Sequence, residues 1–216
     1  MKKQCEKIMC YAAKFPNKPD YFAITLNRME QRGIIFNGDM VRAIIDGRKT
    51  VTRRIIGQVP RLIMGEWPLS NCYTDKNHRH WLDIQTSIDK SHDEIFCPHG
   101  KPGDLLWVRE TWSEVDHGIF VYRADVEKEN NSIKWRPSIH MPRKAARLIL
   151  EITDVRVERL QTITVEDCCL EGIDYKVDFK SDFMHLWDSI YKNEYSWDKN
   201  PWVWVIEFQL ICHGRK

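Results

Sequence analysis

Residues 202–211, WVWVIEFQLI, form the clearest strand pattern in the chain. β-branched and aromatic residues dominate this run and neither Gly nor Pro interrupts it, which is typical of a strand. Trp202 and Trp204 stand inside the pattern, so we expect both to belong to the core. The fold should therefore be organised around a sheet that contains this strand.

Other strand patterns precede this one along the chain. Apolar residues alternate over 148–152 and again over 155–157, and the offset at Thr153-Asp154 predicts a bulge or bend within one long strand. Shorter strands are predicted at Ile34–Phe36, Thr50–Arg54, Leu105–Val108 and Ile119–Tyr122.

Three helices are predicted between these strands. Asn37, Gly38 and Asp39 offer a cap for the first, and Thr164 with Asp167 resembles a capping box for the second, which Gly172 closes. Apolar residues at helical spacing over 179–190 give the third. Strands and helices do not alternate regularly, so the predicted fold class is α+β, a small mixed or antiparallel barrel with peripheral short helices.

Two segments depart from this compact pattern. Residues 1–31 are rich in lysine, are interrupted by Pro16 and Pro19 and lack periodicity, so we expect a flexible N-terminal tail. Residues 57–103 combine prolines with weak periodicity, which predicts a loop-rich insertion with one strand near residues 81–84. Residues 32–216 then form one domain that contains this insertion, as the length allows.

Composition excludes several classes of protein. Lys and Arg number 33 against 31 Asp and Glu, and a net charge of +2 argues against a highly basic nucleic-acid-binding tail while permitting a local basic pocket. The seven Cys include no CxxC pair, which indicates reduced thiols and a cytoplasmic protein. No run of about 18 apolar residues is available to span a membrane.

The insertion contains residues with the chemistry of zinc ligands. These are Cys72, His78, His80, Cys97 and His99, but their positions follow no standard ligand spacing. We therefore treat them as loop residues and predict neither a metal site nor a cofactor.

Residues 47–54, GRKTVTRR, carry the most reactive combination of side chains. Burial and the neighbouring arginines would lower the pKa of the Lys49 amine, which could then deprotonate a hydroxyl as in Ser-Lys hydrolases. Spacing alone does not choose Thr52 over Thr50. Because positions 49 and 52 point to opposite faces of a regular strand, Lys49 has to reach back from the turn. The structural alternative is a helix C-cap at Gly47 followed by cations near the negative end of the helix dipole.

Four segments together resemble the ASCH-domain family of the PUA-like superfamily, in particular its longer phage and prophage versions. They are FNGDMVRAIIDGRKTVTRR (36–54), PGDLLWVRETW (102–112), LQTITVEDCCLEGI (160–173) and VWVIEFQLI (203–211). The likeness spans about residues 34–211, and GRKTxTRR is its most specific part. The barrel fold of that family agrees with the pattern of strands and helices.

Some small ASCH proteins with a similar GRKTxT motif are amidohydrolases that convert N4-acetylcytidine to cytidine and acetate. The resemblance implies that Lys49 is the base, Thr52 the nucleophile and Glu171 a third catalytic residue that orients Lys49 or binds the exocyclic nitrogen. Glu166 and Asp167 lie close enough in sequence to compete for the last role. The insertion at 57–103 departs from the small enzymes, which leaves the identity of the substrate open.

Five further residues are expected to bind the substrate. Arg48 and Arg54 belong to the basic motif, and Arg143 belongs to a second basic cluster that could contact phosphate. Trp112 follows a strand end and is the tryptophan best placed to stack on a base, with Glu110 beside it at the mouth of the pocket.

The sequence therefore predicts an amidohydrolase of N4-acylated cytosine nucleosides or nucleotides. The alternative from a different class is a non-catalytic PUA-like module that binds RNA or single-stranded DNA through residues 48–54 and 143–147. A ribonuclease on the same fold is the third hypothesis.

Overall fold

The structure is a computed structural model. It describes residues 30–57, 71–75, 79–85, 90–116, 118–126, 132–174, 178–191 and 195–214. The predicted N-terminal tail lies outside the described residues except for its last two positions, and Gln31 already belongs to the first strand.

Ten strands and three α-helices are described. The strands are β1 (Gln31–Ile35), β2 (Val51–Ile55), β3 (Asn71–Thr74), β4 (His80–Gln85), β5 (Lys90–Ile95), β6 (Leu105–Arg109), β7 (Trp112–Asp116), β8 (Ile119–Tyr122), β9 (Leu148–Arg159) and β10 (Trp202–His213). The helices are α1 (Gly38–Ile45), α2 (Val165–Leu170) and α3 (Phe179–Ile190). The predicted mixture of strands with a few short helices, class α+β, is confirmed.

The main sheet has five strands in the order β1-β6-β9-β10-β2. Its long central pair, β9 and β10, is antiparallel, and Glu207 pairs with Asp154 whereas Phe208 pairs with Ile152. Thr153 is therefore an extra residue opposite the β10 ladder, which confirms the predicted bulge. β1 runs parallel to β6, so the sheet is mixed.

Strand pairing among the described residues does not close this sheet into a barrel. β1 and β2 are its two edges. The edges nevertheless approach each other, because Arg54 on β2 donates a hydrogen bond of 2.7 Å from Nη2 to the Ile35 carbonyl on β1. A strongly curled sheet whose edges are bridged by a side chain is therefore the architecture observed.

Local signals fix the ends of the helices. The Asn37 side chain accepts a hydrogen bond of 2.8 Å from the Met40 amide at the start of α1. Thr164 and Asp167 form both hydrogen bonds of a capping box before α2. Asp178 caps α3 by accepting from the Ser181 amide. No helix of the described residues combines the length and apolarity needed to cross a bilayer.

The insertion contains more regular structure than its sequence predicts. β3, β4 and β5 form a separate antiparallel sheet between β2 and β6 in the chain. The strand predicted near residues 81–84 is part of β4, whereas its two partners were missed because their apolar periodicity is weak. β7 and β8 form a further two-stranded hairpin.

The two faces of β10 pack against different apolar clusters. Trp204, Ile206 and Phe208 belong to the cluster that fills the curled side of the sheet. Val203 and Val205 belong to the cluster under α2 and α3. This alternation follows directly from the period of two in the strand, and it places α3 over the β2 edge of the sheet. Of the two tryptophans predicted in the core, Trp204 is buried, whereas Trp202 is half-buried.

Candidate active site at the edge of the sheet

Lys49 lies between the end of α1 and the start of β2. Gly47 adopts the left-handed conformation (φ 76°), and the Lys49 amide donates to the Ala43 carbonyl, so the chain turns sharply back. The side chain is completely buried and runs along β2, where its Nζ donates to the Val51 carbonyl at 2.7 Å. The Lys49 amine therefore contacts the backbone of the residue that precedes Thr52.

Glu171 supplies the other two oxygens around this ammonium. Lys49 Nζ donates to Glu171 Oε2 at 2.6 Å and to the Glu171 carbonyl at 2.9 Å. Glu171 is 5% exposed, so the ion pair is shielded from water. The exposed Glu166 lies outside this contact, and the geometry thus distinguishes the two glutamates that sequence alone could not separate.

A glycine allows this close approach. Glu171 is the C-cap of α2, and Gly172 follows it with φ 77°. A Cβ at position 172 would lie 2.8 Å from the Ala43 Cβ and 2.9 Å from the Lys49 Cβ. The end of α2 can therefore rest against the turn that carries Lys49 only because residue 172 has no side chain.

The environment lowers the pKa of Lys49. Burial is the largest cause, because removal from water disfavours the ammonium form. The charge and hydrogen bond of Glu171 raise the pKa and offset part of this effect, whereas Arg54 and Arg53 lower it further. The net effect is a lowered pKa, so Lys49 gives up its proton more readily than an exposed lysine does.

Arg53 is a central member of the site that the sequence did not identify as one. Its guanidinium is fully buried and contacts Glu171 Oε1 at 3.4 Å and Asp167 Oδ2 at 3.0 Å. A third carboxylate, that of Glu158, lies at 3.5 Å. Glu171 is thus held between two cations, with one oxygen directed to Lys49 and the other to Arg53. The motif GRKTVTRR did not predict these ion pairs of Arg53. Alternation along β2 shows that Arg53 points to one face of the sheet, but it does not show which carboxylates lie on that face.

Asp167 connects this site to the start of α2. Burial alone would raise the pKa of Asp167, but hydrogen bonding with Thr164 and the charge of Arg53 outweigh that effect and lower the pKa below its ordinary value. The capping box therefore fixes a carboxylate that in turn holds Arg53.

Thr52 lines a shallow cleft along the free edge of β2. The cleft is small, with a cavity volume of about 20 Å³, and Arg53, Arg54 and Glu171 also line it. Thr50 is not one of the lining residues, so the cleft separates the two threonines that spacing left equivalent. No hydrogen bond joins Lys49 Nζ to the Thr52 hydroxyl among the described residues, since the three ammonium protons are directed to the Val51 and Glu171 oxygens.

The two arginines predicted to bind substrate have different surroundings. Arg54 lines the cleft, and its guanidinium lies over the Phe36 ring at 5.2 Å. Arg48 is exposed and pairs with Asp174 at 2.9 Å and with Asp46 at 3.3 Å. The structure therefore brings Arg54, but not Arg48, to the cleft.

Glu110, Trp112 and Arg143 lie outside the cleft lining. Glu110 is buried and accepts two hydrogen bonds of 2.9 Å from Arg147, and burial raises its pKa although Arg147 counteracts the effect. Trp112 is 3% exposed and packs edge-on against Phe120. Glu110 and Trp112 follow the end of a strand in the sequence, and for that reason we predicted them at the mouth of a pocket. In the structure both side chains are buried inside the protein.

Arg143 is on the surface near the first strand. Its Nε and Nη2 donate to the Gln31 side-chain oxygen at 2.9 and 2.8 Å. No group of three or more His, Cys, Asp or Glu side chains in the described ranges could hold a metal ion. Cys72 and His78, two of the residues with zinc-ligand chemistry, have side chains outside the described set.

Comparisons with known proteins leave the family of the chain open. No family model matches the sequence, and no curated protein matches it. Among solved structures, the chain is similar to the crystal structure of protein EF3133 from Enterococcus faecalis V583, which is described with the family model DUF984. The likeness covers 91% of this chain and 93% of that chain, with 9% sequence identity and a TM-score of 0.44. A likeness of this size identifies neither a family nor an activity.

Proposed function

We propose that this protein is an amidohydrolase that removes the acyl group from N4-acylated cytosine nucleosides or nucleotides. The observation that carries the proposal is the buried Lys49–Glu171 pair, with Nζ 2.6 Å from Oε2, together with a cleft that Glu171 and the buried Thr52 both line. The order of the sequence segments that resemble ASCH proteins supports it, and so does the curled mixed sheet, which is compatible with the PUA-like barrel of that family.

The first half of the reaction is transfer of the acyl group to Thr52. The hydroxyl oxygen attacks the amide carbon while the neutral Lys49 amine takes the hydroxyl proton. The bond between the carbonyl carbon and N4 then breaks as Lys49 returns that proton to the leaving nitrogen. The products of this step are the cytosine amine and an acyl-threonine ester.

Water completes the reaction. Lys49 takes a proton from a water molecule as its oxygen adds to the ester carbon, and the proton passes to the Thr52 oxygen as the ester bond breaks. A carboxylic acid leaves and Thr52 is restored. Lys49 thus accepts and returns one proton in each half, so the enzyme ends as it began.

Glu171 and Arg54 have separate roles in this proposal. Glu171 holds the amine at the edge of β2 and stabilises the ammonium that forms transiently, because its carboxylate is buried against Nζ. Arg54 presents its guanidinium from the cleft wall, where it can donate to a pyrimidine carbonyl oxygen. Arg48 has no assigned role because it is engaged by Asp174 and Asp46.

The test is hydrolysis of N4-acetylcytidine followed by its change in absorbance. Thr52→Val removes the hydroxyl without changing the shape of the side chain, and it should lower kcat by at least about a thousandfold, as loss of a nucleophile does. Thr50→Val is the matched control two residues away and should retain activity. Acid quenching of the wild type should trap a peptide that contains Thr52 and carries the acyl mass.

Two results would contradict the proposal. One is a folded wild-type protein that releases no acid from any N4-acylcytidine. The other is full activity in Thr52→Val, with loss of activity in Thr50→Val. Circular dichroism and thermal unfolding of each variant separate loss of chemistry from loss of fold.

Binding of single-stranded nucleic acid is the second candidate function, and a different surface supports it. Arg109, Arg136 and Lys144 have no carboxylate partner in the described part of the chain, and each lies over an aromatic ring. Arg53 and Arg147, which belong to the two clusters predicted for this role, instead form buried ion pairs, whereas Lys144 of the second cluster is exposed. Cations seated on aromatic rings are suited to phosphates and bases together.

Salt dependence measures this second function. Fluorescence anisotropy with an oligocytidine should give an affinity whose logarithm falls with the logarithm of salt concentration, and Arg136→Gln should reduce the slope by about 0.7. Lys199→Gln changes an exposed lysine of the short helical turn before β10 and serves as the control. A slope unaffected by Arg136→Gln would count against this surface.

A further inference from the structure

Phe36 is a buried aromatic residue beside the candidate active site. It follows β1 directly and precedes Asn37, the cap of α1. Its side chain is 1% exposed and belongs to the apolar cluster on the curled side of the sheet. The Phe36 amide donates to the Arg109 carbonyl at 3.1 Å, and the ring packs against that of Phe208 with centroids 6.1 Å apart. Both the backbone and the ring of Phe36 are therefore fixed in the interior.

Two cations of the candidate active site lie over this ring. The guanidinium carbon of Arg54 is 5.2 Å from the ring centroid, and Lys49 Nζ is 5.6 Å from it. Both distances are within the range of about 6 Å in which the face of an aromatic ring attracts a cation. The carbonyl of Ile35, the residue before Phe36, also accepts a hydrogen bond of 2.7 Å from Arg54. The end of β1 therefore contacts both side chains, which come from β2 and the turn before it.

The ring acts on Lys49 together with several charged groups. These are Glu171 at the end of α2, which raises the pKa of the amine, and Arg53 and Arg54 on β2, which lower it in addition to the larger effect of burial. The face of an aromatic ring is negative, so Phe36 favours the ammonium form and supports Glu171. A general base works best with a pKa near the working pH, so a group that limits the fall of this pKa benefits the reaction.

We propose that Phe36 is a positioning residue of the candidate active site, whose buried ring fixes the Lys49 amine and the Arg54 guanidinium relative to each other. In the proposed reaction the amine takes the Thr52 proton while Arg54 donates to the pyrimidine carbonyl oxygen. A fixed spacing of these two groups orients the substrate with respect to the base. The effect of Phe36 on hydrolysis rests on the proposed amidohydrolase function, whereas its effect on the Lys49 amine does not.

Fluorination of the ring tests this role with little change in its size. Fluorine withdraws electron density from the ring face and so weakens the attraction for a cation. In the full-length protein, Phe36→3,4,5-trifluorophenylalanine should move the titration midpoint of Lys49 to lower pH by about half a pH unit. Phe36→4-fluorophenylalanine should give a smaller shift in the same direction. NMR of protein labelled at the lysine Cε follows the titration, and the resonance that is lost in Lys49→Arg belongs to Lys49.

Phe208 provides the matched control. It belongs to the same apolar cluster, but Lys49 lies over the ring of Phe36, so trifluorination of Phe208 should leave the midpoint unchanged. Thermal unfolding of both fluorinated proteins checks that each keeps its fold. In hydrolysis of N4-acetylcytidine, the rise of kcat/KM with pH should move with the NMR midpoint for Phe36 and stay in place for Phe208.

The outcomes separate this inference from the proposed reaction. A midpoint that stays in place or moves to higher pH on fluorination of Phe36 refutes the inference, because a ring that only fills space would not stabilise the ammonium form. Equal shifts for Phe36 and Phe208 refute it as well. If the midpoint moves as expected but no N4-acylcytidine is hydrolysed, the amidohydrolase proposal fails, whereas the contact between the ring and Lys49 is confirmed.

Discussion

Replacing Arg53 by methionine tests whether the site depends on the buried cation that holds Glu171. The guanidinium side chain is 0% exposed, and its partner Glu171 is 5% exposed. Removing one member of a buried ion pair typically costs about 3–5 kcal/mol, because the other charge is left without compensation. Asp167 and Glu158 are 17% and 27% exposed, so water can take over part of their solvation. We therefore expect a loss near the lower end, about 3 kcal/mol.

Urea unfolding monitored by tryptophan fluorescence measures this loss. With a slope of about 2 kcal/mol per molar urea, the midpoint should fall by about 1.5 M. Glu171 keeps Lys49 as a counterion in Arg53→Met, whereas Asp167, the carboxylate nearest to Arg53 at 3.0 Å, loses its partner. The double variant Arg53→Met/Asp167→Asn removes that uncompensated charge and should recover about 1 kcal/mol. Arg156→Met is the matched control, because Arg156 is on the same sheet and contacts four carboxylates but is 27% exposed. It should cost about 1 kcal/mol or less.

Two outcomes would refute the reasoning about Arg53. The first is a cost for Arg53→Met no greater than that for Arg156→Met, which would mean that burial does not amplify the loss. The second is a double variant that is less stable than Arg53→Met, which would mean that Asp167 is not the group left uncompensated. An unchanged urea slope is required in each case for the comparison to hold.

Three further predictions concern the same region. Gly172→Ala places a Cβ 2.8 Å from Ala43 and strains a left-handed residue, so thermal unfolding should show a loss of at least about 2 kcal/mol together with loss of hydrolysis; an unaffected protein would contradict the close packing of α2. Thr164→Ala breaks the capping box and should cost about 1 kcal/mol in urea, whereas Thr162→Ala, which lies outside that box, should cost less. Burial lowers the pKa of Lys49 and Glu171 opposes this effect, so kcat/KM should rise with pH as Lys49 loses its proton, and Glu171→Gln should shift that rise to lower pH; a shift to higher pH would reject Lys49 as the base.

Local sequence signals predicted most of the elements of this fold. The strand at 202–211 and the bulge at Thr153 follow from side-chain alternation, and the helix starts follow from Asn37 and Thr164. These features depend on residues within a few positions of one another. The partners of the insertion strand β4 could not be predicted in the same way, because they depend on pairing with a strand whose neighbours carry few apolar residues.

The candidate site was predictable only where it is local. GRKTVTRR placed Lys49 and Thr52 together, whereas the partners of each charge are decided by residues more than a hundred positions away, such as Asp167 and Glu171. Glu110 illustrates the same limit. Its place after a strand end favoured a position at a pocket mouth, but in the structure it is buried and paired with Arg147. The sequence shows which charged side chains are present, but it does not show which of them form ion pairs with residues far away in the chain.

The sharing of Glu171 explains how one cluster could be both stable and reactive. If Glu171 faced Lys49 alone, the pair would favour the ammonium form and the amine would be a poor base. Arg53 holds the other carboxylate oxygen and adds a second positive charge, and both effects work against protonation of Lys49. The same guanidinium keeps Glu171 and Asp167 from being buried without a counterion. Burial is the largest cause of the lowered pKa of Lys49, and the charges of Arg54 and Arg53 add to it, so Glu171 can position the lysine while the pKa of the amine stays below its ordinary value.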